Sequence, residues 1–175
     1  MACSQTLSGI SRDCSPNMGG VAEVYIANFA DVSAVTETSD KITAITMNST
    51  AKFKTYKFNP NTSSLSSNYQ VNQENGTVFV QSDLQLVFNR MDTAKRIEIS
   101  ALAQGELAVI VKDANGAYWY LGQFNPVVIS AGDGLTGTAR ADRNGYSITL
   151  QDNSLKMPAE ILIGTGGVDL SAIIA

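Results

Sequence analysis

Along most of this chain apolar and polar residues alternate in short runs. That is the period-two pattern of strands with one face in a core. Val21-Ala-Glu-Val-Tyr-Ile-Ala-Asn-Phe29 is the first such run, with Val24, Ile26 and Asn28 on one face and Tyr25, Ala27 and Phe29 on the other. A polar turn region follows, and then Lys41-Ile-Thr-Ala-Ile-Thr-Met47 predicts a second strand. Lys52-Phe-Lys-Thr-Tyr-Lys-Phe58 predicts a third, whose interleaved lysines mark a partly exposed strand or an edge guarded against unwanted pairing. The polar stretch Asn59–Asn68 reads as a loop or as the start of a long hairpin arm over 59–76. The arm reading rests on Tyr69–Gln73 and Thr77–Gln81, which flank the turn-like Glu74-Asn-Gly76. Thr77 to Phe88 continues as a long alternating strand.

One segment breaks the rhythm. From Asp92 to Gly105 the apolar positions Ala94, Ile97, Ala101 and Leu102 fall at helical spacing, with Asp92 as N-cap and Gly105 as terminator. This predicts one flanking helix, around 92–104, packed across the sheet. Beyond it, Glu106–Asp113 and Ala117–Gly122 form a hairpin around Asn115-Gly116, which supplies the positive φ angles of a tight turn. Pro126–Ser130, Gly145–Gln151 and Pro158–Ile163 are further strands, with Ala131–Gly137 a flexible connection and a Gly-rich apolar tail at the end. The expected fold is mainly β: an antiparallel β-sandwich or barrel over 21–175, one domain, preceded by an extended N-terminal arm over 1–20.

Composition narrows the chemistry. With no histidine, Ser-His-Asp and Cys-His arrangements and His-containing zinc sites are excluded. The two cysteines, Cys3 and Cys14, are too few for a four-thiolate site and are either free thiols or a bridge closing a short loop. A net charge of -4 provides no basic footprint for tight nucleic-acid binding, yet suits a surface along which DNA slides without sticking. A charged fraction of only 16%, with many Ser, Thr and Asn, fits a protein whose surface is covered by other subunits. Residues 1–20 lack the basic start and apolar run of a signal peptide, and no stretch approaches the roughly 20 apolar residues of a membrane span. Synthesis in the cytoplasm is expected.

The remaining candidates have ordinary explanations. Asp113, Asp133, Asp142 and Asp152 could be cast as an acid pair or calcium ligands, but each adjoins Gly or Asn at an expected turn and suits backbone capping. Gly132-Asp-Gly134 and Gly164-Thr-Gly-Gly167 lack the Lys-Ser/Thr ending of a phosphate loop. Tyr118-Trp119-Tyr120 would split between two strand faces, as core plus interface rather than a stacking platform. Lys52, Lys54, Arg90, Lys95 and Arg96 are interrupted by acidic residues and read as solvated positions or inter-subunit ion-pair partners. No catalytic, cofactor-binding or metal-binding residue is assigned, and an enzyme is not expected.

A helix leading into Leu107-Ala-Val-Ile-Val-Lys-Asp-Ala-Asn-Gly-Ala-Tyr-Trp-Tyr-Leu-Gly122, followed by Gly134-Leu-Thr-Gly-Thr-Ala-Arg-Ala-Asp-Arg-Asn-Gly-Tyr-Ser-Ile-Thr-Leu150, resembles bacteriophage tail-tube proteins. More narrowly it resembles virion proteins of phages that infect Bacteroides-type gut bacteria. The opening Cys3-Ser-Gln-Thr-Leu-Ser-Gly-Ile-Ser-Arg-Asp-Cys14 adds to the likeness. The resemblance implies a virion protein of the tail, assembling with itself into a ring of six, or of twelve in a connector, and meeting neighbouring tail, portal or connector proteins. Double-stranded DNA would pass through transiently. Asn59–Gly76 and the segment before Val21 would be the arms that reach neighbours. The competing expectation is a head decoration, fibre or other surface-attachment protein.

Overall fold

The computed structural model describes residues 7–175. Eleven strands and two helices follow the order β1 (Val21–Asn28), β2 (Val32–Thr38), β3 (Lys41–Met47), β4 (Lys54–Tyr56), β5 (Ser64–Asn72), β6 (Thr77–Asn89), α1 (Thr93–Gln104), β7 (Leu107–Asp113), β8 (Tyr118–Leu121), β9 (Val128–Leu135), β10 (Gly145–Ser154), β11 (Ala159–Ile161) and α2 (Leu170–Ile173). They make a seven-stranded sheet, β2-β3-β11-β8-β7-β1-β4, and a four-stranded sheet, β5-β6-β10-β9. Every pairing is antiparallel except β11 with β3. The expected mainly-β sandwich with a flanking helix is what forms; neither sheet closes into a barrel among the described residues.

Strand alternation sorts the core into two layers. Val24 and Ile26 of β1, Leu107, Val109 and Val111 of β7, and Leu121 of β8 point at the four-stranded sheet. There they meet Leu84, Leu86 and Phe88 of β6 and Ile148 and Leu150 of β10. Intervening residues on the seven-stranded sheet, Tyr25, Ala27, Ala108, Ile110 and Tyr120, point the opposite way. They bury a second cluster with Ile42, Ile45, Phe53, Val168 and Ile173. β7 is therefore covered on both faces, which is why Leu-Ala-Val-Ile-Val runs without a polar interruption. The Gly-rich tail closes the second layer. Phe53, fully buried, donates its N–H to Ile173 O at 2.8 Å and accepts from Ala175 N at 2.9 Å.

Three expectations are corrected. The polar region after Phe29 is β2, an edge strand turned back by Ser39 and Asp40, with φ of 53° and 60°. Two register shifts against β3 interrupt its alternation and hide it from a period-two reading. The connection Ala131–Gly137 is mostly strand: β9 runs to Leu135, and Gly132 and Gly134 lie opposite Ile148 and Tyr146 in the β10 ladder. The helix forms where expected, its Asp92 cap accepting from Lys95 N at 2.8 Å, but with a different face inward. Leu102 is buried and Ile99 packs beside it, whereas Ile97 and Ala94 are exposed. Gly105 has φ of -96°, so it ends the helix without a left-handed residue.

Candidate assembly surface

The four-stranded sheet is asymmetric along its strands. β6 pairs with β10 only from Val80 to Asn89, whereas its pairing with β5 continues out to Asn72 opposite Thr77. From Tyr69 to Phe79 the hairpin is thus a two-stranded ribbon that outruns its neighbours. Glu74 and Asn75 N–H groups both bond Asn72 Oδ1 at its tip. The expected arm over 59–76 is therefore a hairpin, but its first half is part of the sheet and only its outer half projects. Cross-strand register places Tyr69 opposite Val80 and Val71 opposite Val78, so these four share the face that carries Leu65 and Leu84 into the core. Val80 is fully buried; past it the same stripe emerges into solvent, with Tyr69 58%, Val71 59% and Val78 55% exposed. The core face of this sheet continues beyond the sheet that covers it.

A cavity of about 370 Å³ opens at the base of the N-terminal segment, lined among others by Met18, Val21, Leu65, Ser67, Val111 and Trp119. Met18 belongs to the N-terminal segment, whose described part, residues 7–20, is extended and exposed. Asn115 in the β7–β8 turn anchors its base: Oδ1 accepts from Met18 N at 2.8 Å, and Nδ2 donates to Asn17 Oδ1 and Met18 O. Only Gly116 of the Asn115-Gly116 pair takes a positive φ, 89°, which leaves Asn115 to act through its side chain. Beyond the anchor Leu7 and Ile10 stand in solvent, at 89% and 102% exposure. Cys14 is exposed; Cys3, and with it the expected choice between thiols and a bridge, lies outside the described residues.

The outward face of the four-stranded sheet is unusual in its charge. None of β5, β6, β9 and β10 contains Lys or Arg. Outward positions are mostly polar, Ser64, Ser66, Asn68 and Gln70 on β5, Gln81, Asp83 and Gln85 on β6, and Ser147, Thr149 and Gln151 on β10, with the apolar Phe79, Val87, Val128 and Leu135 among them. Asp133 on β9 meets Arg143 of the following loop at 3.4 Å. One edge of this sheet differs from those of the other. β5 offers nine residues with no charge and no proline, while β4 carries Lys54, with Lys52 and Lys57 close by in sequence, and β2 carries Glu37. An uncharged edge of that length is a template for pairing with another chain.

The four aspartates separate into pairs. Asp113 and Asp142 do cap turns: Asp113 Oδ1 accepts from Asn115 and Ala117 N–H, and Asp142 Oδ2 from Thr138 and Ala139 N–H, which holds the Asp142 carboxyl below its usual range. Asp133 and Asp152 sit in strands instead. Asp152 is 3% exposed, beside buried Ser82 opposite it and Ser154. One oxygen accepts from Gly122 N at 3.2 Å and the other has no protein partner. Burial pushes its carboxyl above the ordinary value, and the Gly122 N–H offsets this only in part. Among the described residues no three His, Cys, Asp or Glu side chains gather as for a metal ion.

Tyr118–Leu121 is interior. β8 lies between β7 and β11, Tyr120 and Leu121 are buried, and Trp119 donates its indole N–H to Asp113 at 3.1 Å. Tyr118 stacks on Tyr25 with Lys112 over its ring at 5.7 Å. The strand thus offers no free backbone edge. Of the basic positions, Lys95 is spent locally on Asp92 and on the carbonyls of Asn89 and Arg90. Sequence reasoning missed the cation-free sheet although its signal was legible: no Lys or Arg occurs from Asn59 to Asn89, from Gln123 to Ala139, or from Asn144 to Leu155.

Fold and surface together define a β-sandwich with one uncharged edge, a projecting apolar ribbon and an exposed N-terminal strap. Comparison with known protein families, with curated proteins and with solved structures finds no match. No helix among the described residues is long and apolar enough to cross a membrane.

Proposed function

We propose that this chain is a structural subunit of a bacteriophage tail, assembling with itself into a ring or tube around the channel through which the genome leaves. The observation that carries the reading is the four-stranded sheet, with no basic side chain on any strand, a mostly polar outward face and a nine-residue uncharged edge. Head-to-tail joining of β5 in one copy to β9 in the next satisfies the unpaired backbone groups of both edges. A heterologous contact of that kind closes into a ring when its rotation permits. The outward face then lines the lumen. Its Ser, Thr, Asn and Gln side chains, with Asp83 and Asp133, provide no cationic hold on a passing phosphate backbone.

Negative-stain electron microscopy with light-scattering mass tests this. Rings or stacked tubes are expected, and counting subunits separates six from twelve. A compact trimer, or a monomer that stays so at high concentration, would sink the ring reading and favour a decoration or fibre protein. A second measurement addresses the lumen: Gln85→Lys/Gln151→Lys should convert a protein that ignores duplex DNA into one that retains it in a salt-dependent way.

A further inference from the structure

Among the exposed apolar side chains of the described residues, two groups are complementary. One is the Tyr69-Val71-Val78 stripe, a sheet face prepared for a second layer that ends too soon. The other is the strap before Met18. Leu7 and Ile10, three residues apart, would point to opposite sides of a regular strand. Gly9 between them has φ of +76°, a conformation that reverses this alternation as a bulge does and lets both side chains face one surface. Arg12 follows two residues after Ile10, and Glu74 is the only charge on the hairpin from Ser64 to Ser82. Asp13 is engaged locally by the N–H and hydroxyl of Ser15, at 2.9 and 2.8 Å.

We propose that the N-terminal strap of one copy lies across the inner face of the β5–β6 ribbon of a second copy, covering Tyr69, Val71 and Val78 with Leu7 and Ile10. The occupant is a second copy because the strap is tied at its base to its own Asn115 and leaves its own ribbon bare. At about 3.3 Å per extended residue, Ile10 reaches roughly 25 Å beyond the Met18 anchor, a distance that spans to a neighbour. Each subunit gives one strap and receives one, so the exchange repeats around a ring or between rings. The inference rests on the self-assembly reading but concerns a different surface from the β5–β9 edges.

The test uses the full chain with Cys3→Ser and Cys14→Ser, adding Leu7→Cys with Val71→Cys, and as control Leu7→Cys with Gln70→Cys, which points to the other sheet face. Under mild oxidation the first pair should give a ladder of disulfide-linked multimers on a non-reducing gel, and the control little. A cross-linked species that remains monomeric would overturn the proposal, because the strap then serves its own ribbon. Rings on the grid without a ladder would overturn it while the ring reading stood. A ladder without rings would leave this contact and remove the ring reading. Independently, Leu7→Ser/Ile10→Ser should leave thermal unfolding unchanged and weaken self-association roughly 100-fold, the loss of two buried aliphatic side chains. Unchanged association would overturn the contact.

Discussion

The two sheets of this protein are built from different residues for different surroundings. The central strands of the seven-stranded sheet, β1, β7 and β8, are buried on both faces: they carry the inter-sheet core on one side and, on the other, a second layer closed by Phe53 and the C-terminal tail. Several of its charges are in ion pairs, Lys41 with Glu160 at 2.7 Å and Glu37 with Lys156 of the loop before β11 at 3.1 Å. The four-stranded sheet buries only one face, carries no cation, and extends past its partner into a bare ribbon. The difference teaches that stability and surface are divided between them. One sheet carries most of the interior, and the other leaves a face, an edge and a ribbon exposed.

Substitutions sharpen that division. The largest effect is expected at Phe53→Ala, which empties the centre of the second layer and should lower unfolding free energy by about 3–5 kcal/mol in chemical denaturation. Val78→Ala on the ribbon should change it by less than about 0.5 kcal/mol. A comparable loss at both positions would erase the contrast. Next in size is Gly145→Ala. A Cβ there would come within 2.1 Å of Phe88 O across the β10–β6 pair, so the strands must separate, at a cost of about 1–3 kcal/mol in the same assay.

Asp152→Asn is expected to stabilise. Because burial raises the folded carboxyl above its ordinary 3.8, the folded chain holds this proton to higher pH than the unfolded chain does. The stability associated with the protonated form is complete below about pH 3.8 and lost as pH rises through the folded value. The amide keeps the acceptor for Gly122 N and removes the charge. A gain of about 1 kcal/mol near pH 7, shrinking toward nothing below pH 3.8, should appear in thermal melts across pH. A gain independent of pH would mean that the carboxyl binds its proton equally well in the folded and unfolded chain. Smallest is the helix cap: Asp92→Ala should cost about 1 kcal/mol, while exposed Ile97→Ala stays within about 0.5.

Much of the fold was legible because strand alternation is a local signal. The faces of β1 were assigned correctly, Val24 and Ile26 against Tyr25 and Ala27, since each face meets an apolar layer. β2 was not, because bulges at two points defeat a period of two. The helix was placed by its Asp92 cap, yet its inward face was misassigned. Spacing shows which residues share a side, while Ile99 and Leu102 pack because of where the helix crosses the sandwich. Asp133 and Asp152 were read as turn residues from their Gly and Asn neighbours. In β9 and β10 the ladder with adjacent strands overrides that local preference.

The candidate surface divides along the same line. By itself the sequence determined the mainly-β class, one flanking helix around 92–104, the lack of histidine and the long intervals without a cation, and it offered a hairpin arm over 59–76 as one of two readings. Each of these depends on nearest neighbours or on composition. Only the tertiary structure decided that those intervals assemble into one sheet, that β5 is its edge, and that the ribbon's apolar stripe outruns its cover. Those properties follow from which strands stop first and which partners lie across the core. They are set by contacts between residues far apart in the chain, and alternation along a strand carries no record of where the opposing sheet ends.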